Sequence, residues 1–352
     1  MNYQQIPKPV HDINSPIYEY PIKRLNISRF NNGIFLNADY KSLEIFIAAL
    51  FSKDGGMTEA LMNGADIHKR NASIAFNVPV DDVTKDQRQA AKRVGFGSIY
   101  GITEEGLSKQ LNTTPEHAKD IMDKVLSAMP QVRKSILAVQ SFAKRYGYVE
   151  TMQGNYRRLP EAKNSKSIQG EQALRQAFNA VVQGSASYMT NTSLIVLRNL
   201  FYKYNLKSEL CLTVHDSIGV DIHPDEIKIV PKLVKKVMEN PPVPWLKCQI
   251  DDFEGLNPDN IPDKYRLSSK QFRFPLISEL EWGKTYADGF AWDYDLYFKL
   301  GIDKYYALCK EQAYISDKFN GLIEKENDED KKDDLVKQMN EALDSIKSKY
   351  VE

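Results

Sequence analysis

Apolar and polar positions alternate most clearly at residues 209–223, ELCLTVHDSIGVDIH. Leu210, Leu212 and Val214 alternate on one arm, and Ile218, Val220 and Ile222 on the other. This predicts a hairpin with His215, Asp216 and Ser217 at its bend. A second apolar run, GIFLNADY at 33–40, predicts a buried strand ending in Asp39, and a helical pattern follows from Leu43 to Phe51. Thr84 and Gln87 stand in the T-x-x-Q order of a capping box, which predicts a helix start. Helical periodicity continues through 115–145 and 168–202. GYVETMQGNYRRLP at 147–160 predicts strand, turn and strand with Gly154 in the turn, and FPLISELEW at 274–282 predicts a further strand. Residues 1–32, rich in Pro, Asn and Tyr, read as irregular structure. Residues 241–272, rich in Pro and Asp, read as an insertion or surface excursion.

Charge changes this picture once it is mapped along the chain. The 352 residues carry 47 basic and 47 acidic side chains, and a net charge of zero alone argues against a nucleic-acid partner. Between Arg88 and Arg175, however, 15 Lys or Arg stand against 8 Asp or Glu, whereas residues 310–352 hold 12 acids against 8 bases. The average conceals a basic middle and an acidic tail. Beyond about residue 293 the Lys/Glu/Asp-rich pattern predicts one or two solvated helices. Cys211, Cys248 and Cys309 form no CxxC pair, so neither a disulfide framework nor a zinc site is expected, and a reducing cytoplasm fits. The N-terminus lacks the apolar stretch of a signal peptide. No apolar run approaches the ~18 residues of a membrane span, so no membrane partner is expected.

Candidate chemistry gathers at two places. Arg88, Lys92 and Phe96 are spaced i, i+4, i+8, so they share one helix face. Arg grips phosphate oxygens bidentately, Lys adds a point charge, and an aromatic ring packs on a sugar and base. Gly95, Gly97 and Gly101 stand around this face against helix propensity. Asp39 and Asp216 each end a strand-like run; singly, such residues are commonly turn or cap residues. Brought side by side, they can bridge two Mg²⁺ ions ~4 Å apart, as nucleotidyl transfer requires.

In this order the pieces resemble the family A DNA polymerases, the bacterial DNA polymerase I-like group with phage members. Asp39-Tyr40-Lys41-Ser42-Leu43-Glu44 is similar to the motif D-Y-S-x-I-E, and Arg88 to Gly101 to R-x-x-x-K-x-x-x-F-G-x-x-Y-G. Val214-His215-Asp216-Ser217 resembles V-H-D-E. Further matches are GADIHKR around His68, the 147–160 hairpin, Arg175, Asn179, Gln183 and Gly184 in R-x-x-x-N-x-x-x-Q-G, NYQQIP at 2–7, and Trp282-Gly283-Lys284.

The resemblance implies an α+β fold, with a palm of antiparallel sheet and helices and a mostly helical fingers subdomain. Fingers are expected at about 62–150, palm at 1–61 and 151–292 with an insertion at about 241–272, and a charged helical tail at 293–352. By the resemblance Asp39 and Asp216 are catalytic metal ligands, with the Tyr40 carbonyl assisting and two Mg²⁺ as cofactor. Arg88, Lys92 and His68 would bind the triphosphate of a dNTP. Phe96 would pack on the incoming nucleotide, Tyr100 would stack near the templating base, and Glu44 would fill the space of a ribose 2′-hydroxyl. Arg175, Asn179, Gln183 and His215 would meet primer–template DNA.

The chain departs from the family at Ser217 (usually Glu), Gly95 (commonly Asn) and Phe46 (commonly Arg). With 38 residues before Asp39, thumb and exonuclease domains are expected to reside on a separate N-terminal polymerase fragment. The expected function is DNA synthesis in DNA replication, in the cytoplasm of a cell or of a phage host. The alternatives are a catalytically silent nucleic-acid-binding remnant and a single-subunit phage-type RNA polymerase.

Overall fold

The computed structural model of the protein describes residues 22–351 apart from 324 and 327, so the NYQQIP segment and most of the irregular N-terminal stretch lie outside the described residues. In chain order the elements are β1 (Ile34–Tyr40), α1 (Leu43–Ser52), α2 (Gly55–Met62), α3 (Ile67–Phe76), α4 (Lys85–Ile99), α5 (Glu104–Leu111), α6 (Pro115–Ser127) and α7 (Pro130–Tyr146). There follow β2 (Tyr148–Glu150), β3 (Tyr156–Arg158), α8 (Ile168–Lys203), β4 (Glu209–Val214), β5 (Ser217–Ile222) and α9 (Val230–Glu239). The chain closes with β6 (Lys247–Gln249), β7 (Gln271–Arg273), β8 (Ser278–Gly283), β9 (Phe290–Ala291), α10 (Tyr294–Ile323) and α11 (Glu329–Val351). Two compact units result. One comprises the described residues of Met1–Asp39, Val196–Val237 and Ser278–Glu352, and the other Tyr40–Ile195 and Met238–Ile277.

The first unit is built on a sheet of order β4-β5-β1-β8-β9. β5 lies antiparallel to both β1 and β4, and all six of its residues are buried. That burial extends to Asp221, whose carboxylate accepts from the Ser28 hydroxyl at 2.6 Å and the Arg29 amide at 3.2 Å. A buried charge is tolerated when it is supplied with donors in this way. Phe35 on β1 packs within 3.0 Å of where a Cβ on Gly219 would stand, so glycine lets the ring close over β5. At the other edge, Trp282 stacks on Tyr305 of α10 at 4.8 Å, and Tyr305 donates to the Ala291 carbonyl at 3.0 Å. α11 folds back on α10, with Lys349 and Tyr350 both reaching Glu311.

The second unit is mainly helical. Its caps follow directly from sequence: Asp54, Asp66, Thr84, Thr103 and Thr114 each accept backbone N–H groups at a helix start. Thr84 and Gln87 form the reciprocal box expected of them.

Three expectations need correction, and the hairpin gains a detail. The 115–145 periodicity is interrupted at Ala128–Met129 because Pro130, which has no N–H to donate to the preceding turn, opens a new helix. The 274–282 strand begins only at Ser278, since Pro275 cannot donate to a ladder. The 209–223 hairpin forms where its alternation predicts, and it also carries a register shift between Leu210 and Leu212, so Leu210 pairs Val220 while Leu212 pairs Gly219. Residues 241–272 are packed rather than peripheral, because Leu246, Cys248, Ile250, Phe253, Ile261 and Phe272 are buried. Short 3₁₀ turns at Pro244–Leu246, Ile250–Asp252 and Pro258–Asn260 explain the weak periodicity there.

Candidate active site

In the first unit the chain itself brings the two aspartates together. Asp39, near the end of β1, stands opposite Ser217 in the antiparallel register, and Asp216 is the residue before Ser217. The β4–β5 connection is a two-residue turn of His215 and Asp216, closed by the pair Val214–Ser217. His215 has φ 55, a left-handed backbone that is uncommon outside glycine and aids the tight reversal. The motif serine, buried beside the aspartates, turns its hydroxyl onto the Val214 carbonyl at 2.9 Å. It closes the turn and supplies no carboxylate.

Among the described residues no cluster of three or more His, Cys, Asp or Glu could hold a metal ion. A pair of strand-end carboxylates still fits Mg²⁺, which accepts few protein oxygens and fills its octahedron with water and substrate phosphate.

In the second unit, α4 presents Arg88, Lys92 and Phe96 on one face, as their spacing requires. Arg88 donates from Nε to Asp66 at 2.6 Å, and the same carboxylate caps α3 through the His68 and Lys69 amides. Asp66 was not singled out in the sequence, although an Asp preceding a helical run is a readable cap signal. Its carboxyl is held below the usual range; burial opposes this, and the Arg88 and backbone hydrogen bonds outweigh it.

His68 is buried, its ring 5.5 Å from that of Phe96. Burial, aided by Arg88 and Lys92, drives its pKa down to about 4 against the opposing pull of Asp66. A neutral imidazole can donate a hydrogen bond to a phosphate, while Arg88 and Lys92 supply the charge. Lys92, Phe96, Gly97 and Tyr100 border a cleft of about 520 Å³ that Gln89, Arg93, Ile102 and Gln110 complete. The Tyr100 hydroxyl donates to Glu44 Oε1 at 3.0 Å.

Arg175, Asn179 and Gln183 recur every four residues on α8, so they too share a face. Asn179 Oδ1 is buried without a hydrogen-bond partner. The 151–155 turn docks on the same helix, with the Met152 amide donating to Ser185 Oγ at 3.0 Å and Gln153 Nε2 to the Gly184 carbonyl at 3.1 Å.

An antiparallel sheet with paired aspartates at its strand ends and a helical unit bearing a cationic, aromatic face are the parts of a polymerase domain. In keeping with this, the chain is similar in structure to the POL domain of Pol1 from M. smegmatis, solved in complex with DNA primer-template and dNTP. The TM-score is 0.65 at 28% identity, over 81% of this chain and 44% of that one. The profile of DNA polymerase family A matches residues 1–251, and the chain belongs to that family.

The DNA polymerase of Bacillus phage SP01 is 30% identical over 331 residues, which is 92% of this chain and 34% of the relative. DNA polymerase I of Bacillus subtilis is 36% identical over 219 residues, covering 62% of this chain and 25% of the relative. The chain therefore spans about a quarter to a third of the length of these curated relatives.

Proposed function

We propose that this chain carries out template-directed DNA synthesis, transferring deoxynucleotides from dNTPs to a primer 3′-hydroxyl. The observation that carries the reading is the β1–β5 register, which sets Asp39 opposite Ser217 and so beside Asp216. Asp39, Asp216 and the Tyr40 carbonyl would hold two Mg²⁺ ions. Bound there, the metals would lower the pKa of the primer hydroxyl and neutralise the leaving pyrophosphate.

The protein's own groups do the rest. Arg88 and Lys92 would take the triphosphate by exchanging Asp66 for phosphate oxygens, and His68 would donate to it as a neutral imidazole. Phe96 would pack on the incoming nucleotide and Tyr100 near the templating base. Glu44, fixed by its hydrogen bond to Tyr100, would occupy the space of a 2′-hydroxyl. Arg175, Asn179, Gln183 and His215 would contact primer–template DNA.

Residues 62–150 would then act as fingers and 1–61 with 151–292 as palm. A thumb and an exonuclease would come from a separate N-terminal polymerase fragment. A cytoplasmic location fits, and no described helix is long and apolar enough to cross a membrane.

Asp39→Asn and Asp216→Asn are each expected to abolish primer extension while leaving duplex binding largely intact, because they remove metal-holding charge and not groove contacts. Near-normal extension by either variant would refute the assignment. Ser217 favours a second reading, a catalytically weak nucleic-acid-binding form, because the family's third carboxylate is replaced by a turn-closing hydroxyl. Primer extension by the unaltered chain, with and without an added N-terminal polymerase fragment, separates the two.

A further inference from the structure

The β2–β3 hairpin and the end of α7 carry an aromatic face that none of these roles uses. Phe142 lies 4.6 Å from Tyr146 and 5.3 Å from Tyr148, and Tyr148 lies 5.1 Å from Tyr156, so four rings form a continuous chain. Buried rings would need no explanation. Here Phe142, Tyr146 and Tyr156 are 38%, 44% and 67% exposed. The strand register accounts for the placement: Tyr148 pairs with Arg158 and Glu150 with Tyr156, so these four side chains stand on one face while Val149 points into the core. Tyr146, Tyr148 and Tyr156 border a concavity of about 500 Å³ that Arg158, Pro160 and Lys163 complete. Contiguous exposed apolar surface of this kind marks a binding face.

Charge selects the occupant. Residues 142–166 hold six Lys or Arg against two acids, Glu150 and Glu161. Among the described residues, Arg157, Arg158 and Lys163 enter no ion pair, and Arg145 lies over the Tyr146 ring at 5.2 Å. Rings with free faces take up flat bases, and unneutralised cations beside them take up phosphates. A neutral peptide would use the rings and leave the cations unanswered. A duplex would use the cations, but its bases are already stacked and cannot reach the rings.

We propose that this face binds single-stranded nucleic acid, with a base stacked on Tyr156 and phosphates held by Arg158 and Lys163. The site requires neither metal nor nucleoside triphosphate, so it stands or falls independently of the polymerase reading.

The test is fluorescence anisotropy of a labelled oligothymidylate of about 12 nucleotides, within the usual footprint of such sites, titrated with the 352-residue chain in EDTA. Tyr156→Ala is expected to weaken binding roughly fivefold or more, and Tyr156→Phe, which keeps the ring, to bind as the unaltered chain does. Arg158→Ala combined with Lys163→Ala should reduce the slope of log affinity against log salt by about 1.4, or about 0.7 per lost phosphate contact. A blunt duplex of the same length should be insensitive to Tyr156→Ala. Unchanged single-strand affinity in Tyr156→Ala overturns the proposal and leaves the rings to a protein ligand. An equal loss on duplex and single strand also overturns it, since stacking would then have no part.

Discussion

His68 shows how one residue's surroundings decide what it can do. Burial against Phe96 and the nearby positive charges of Arg88 and Lys92 disfavour its protonated form, and the Asp66 carboxylate only partly offsets them. A base whose folded pKa lies at about 4, below its ordinary 6.5, binds a proton more readily when unfolded. The His68 contribution to stability therefore stays constant above pH ~6.5 and falls as pH drops toward ~4, by about 1.4 kcal/mol per pH unit inside that window. His68→Gln should flatten this part of the profile relative to the unaltered chain in urea unfolding at stepped pH. Parallel profiles would mean that His68 is already protonated in the fold.

Glu44 offers a second residue-level test. Its hydrogen bond to Tyr100 holds the carboxylate in one place, so Glu44→Ala should raise the rNTP/dNTP ratio of kcat/KM. Tyr100→Phe should raise it part of the way, by releasing Glu44 without removing it. A ratio unmoved in both variants would take Glu44 out of sugar selection.

Elements explain the three glycines at the C-terminal end of α4, which sequence reading treats as one group. A Cβ on Gly97 would meet Ile102 Cγ2 at 2.7 Å, and one on Gly101 would meet the Arg175 carbonyl oxygen at 2.4 Å, with φ at 71. Around Gly95 a Cβ would find nothing within 4 Å. Gly95→Ala should therefore stabilise the fold by about 1 kcal/mol, the ordinary helix-propensity gain. Gly101→Ala should destabilise it, through both backbone strain and the collision with α8. Thermal unfolding of the two variants gives the sign of each effect.

Local rules made part of this legible in advance. The capping box at Thr84 and the turn at Gly154, which has φ 88, follow from near neighbours in the chain. The register shift in β4 does not, because alternation on each arm is equally compatible with a regular ladder. The Arg88–Asp66 pair was hidden for a similar reason: 22 residues separate its partners, and only the packing of α3 on α4 brings them together.

For the whole molecule, the joint order of motifs carried the family, while spacing alone carried only the local faces. At this scale zero net charge conceals a basic middle and an acidic tail, which fall on different segments. The chain beyond the family match also has a relative: a similarity covering 92% of the chain extends past residue 251, where the profile of DNA polymerase family A stops. The proposed partnership with an N-terminal fragment makes a physical claim of the same scale. A thumb adds a wall to the duplex channel, and each phosphate contact it contributes adds about 0.9 to the slope of log affinity against log salt. The purified 352-residue chain is therefore expected to bind primer–template weakly, with a shallow salt slope, and to extend it poorly. Adding a fragment that supplies the thumb should steepen the slope, raise extension, and co-purify with the chain. Processive extension by the chain alone at physiological salt would show that its own contacts suffice to hold the duplex.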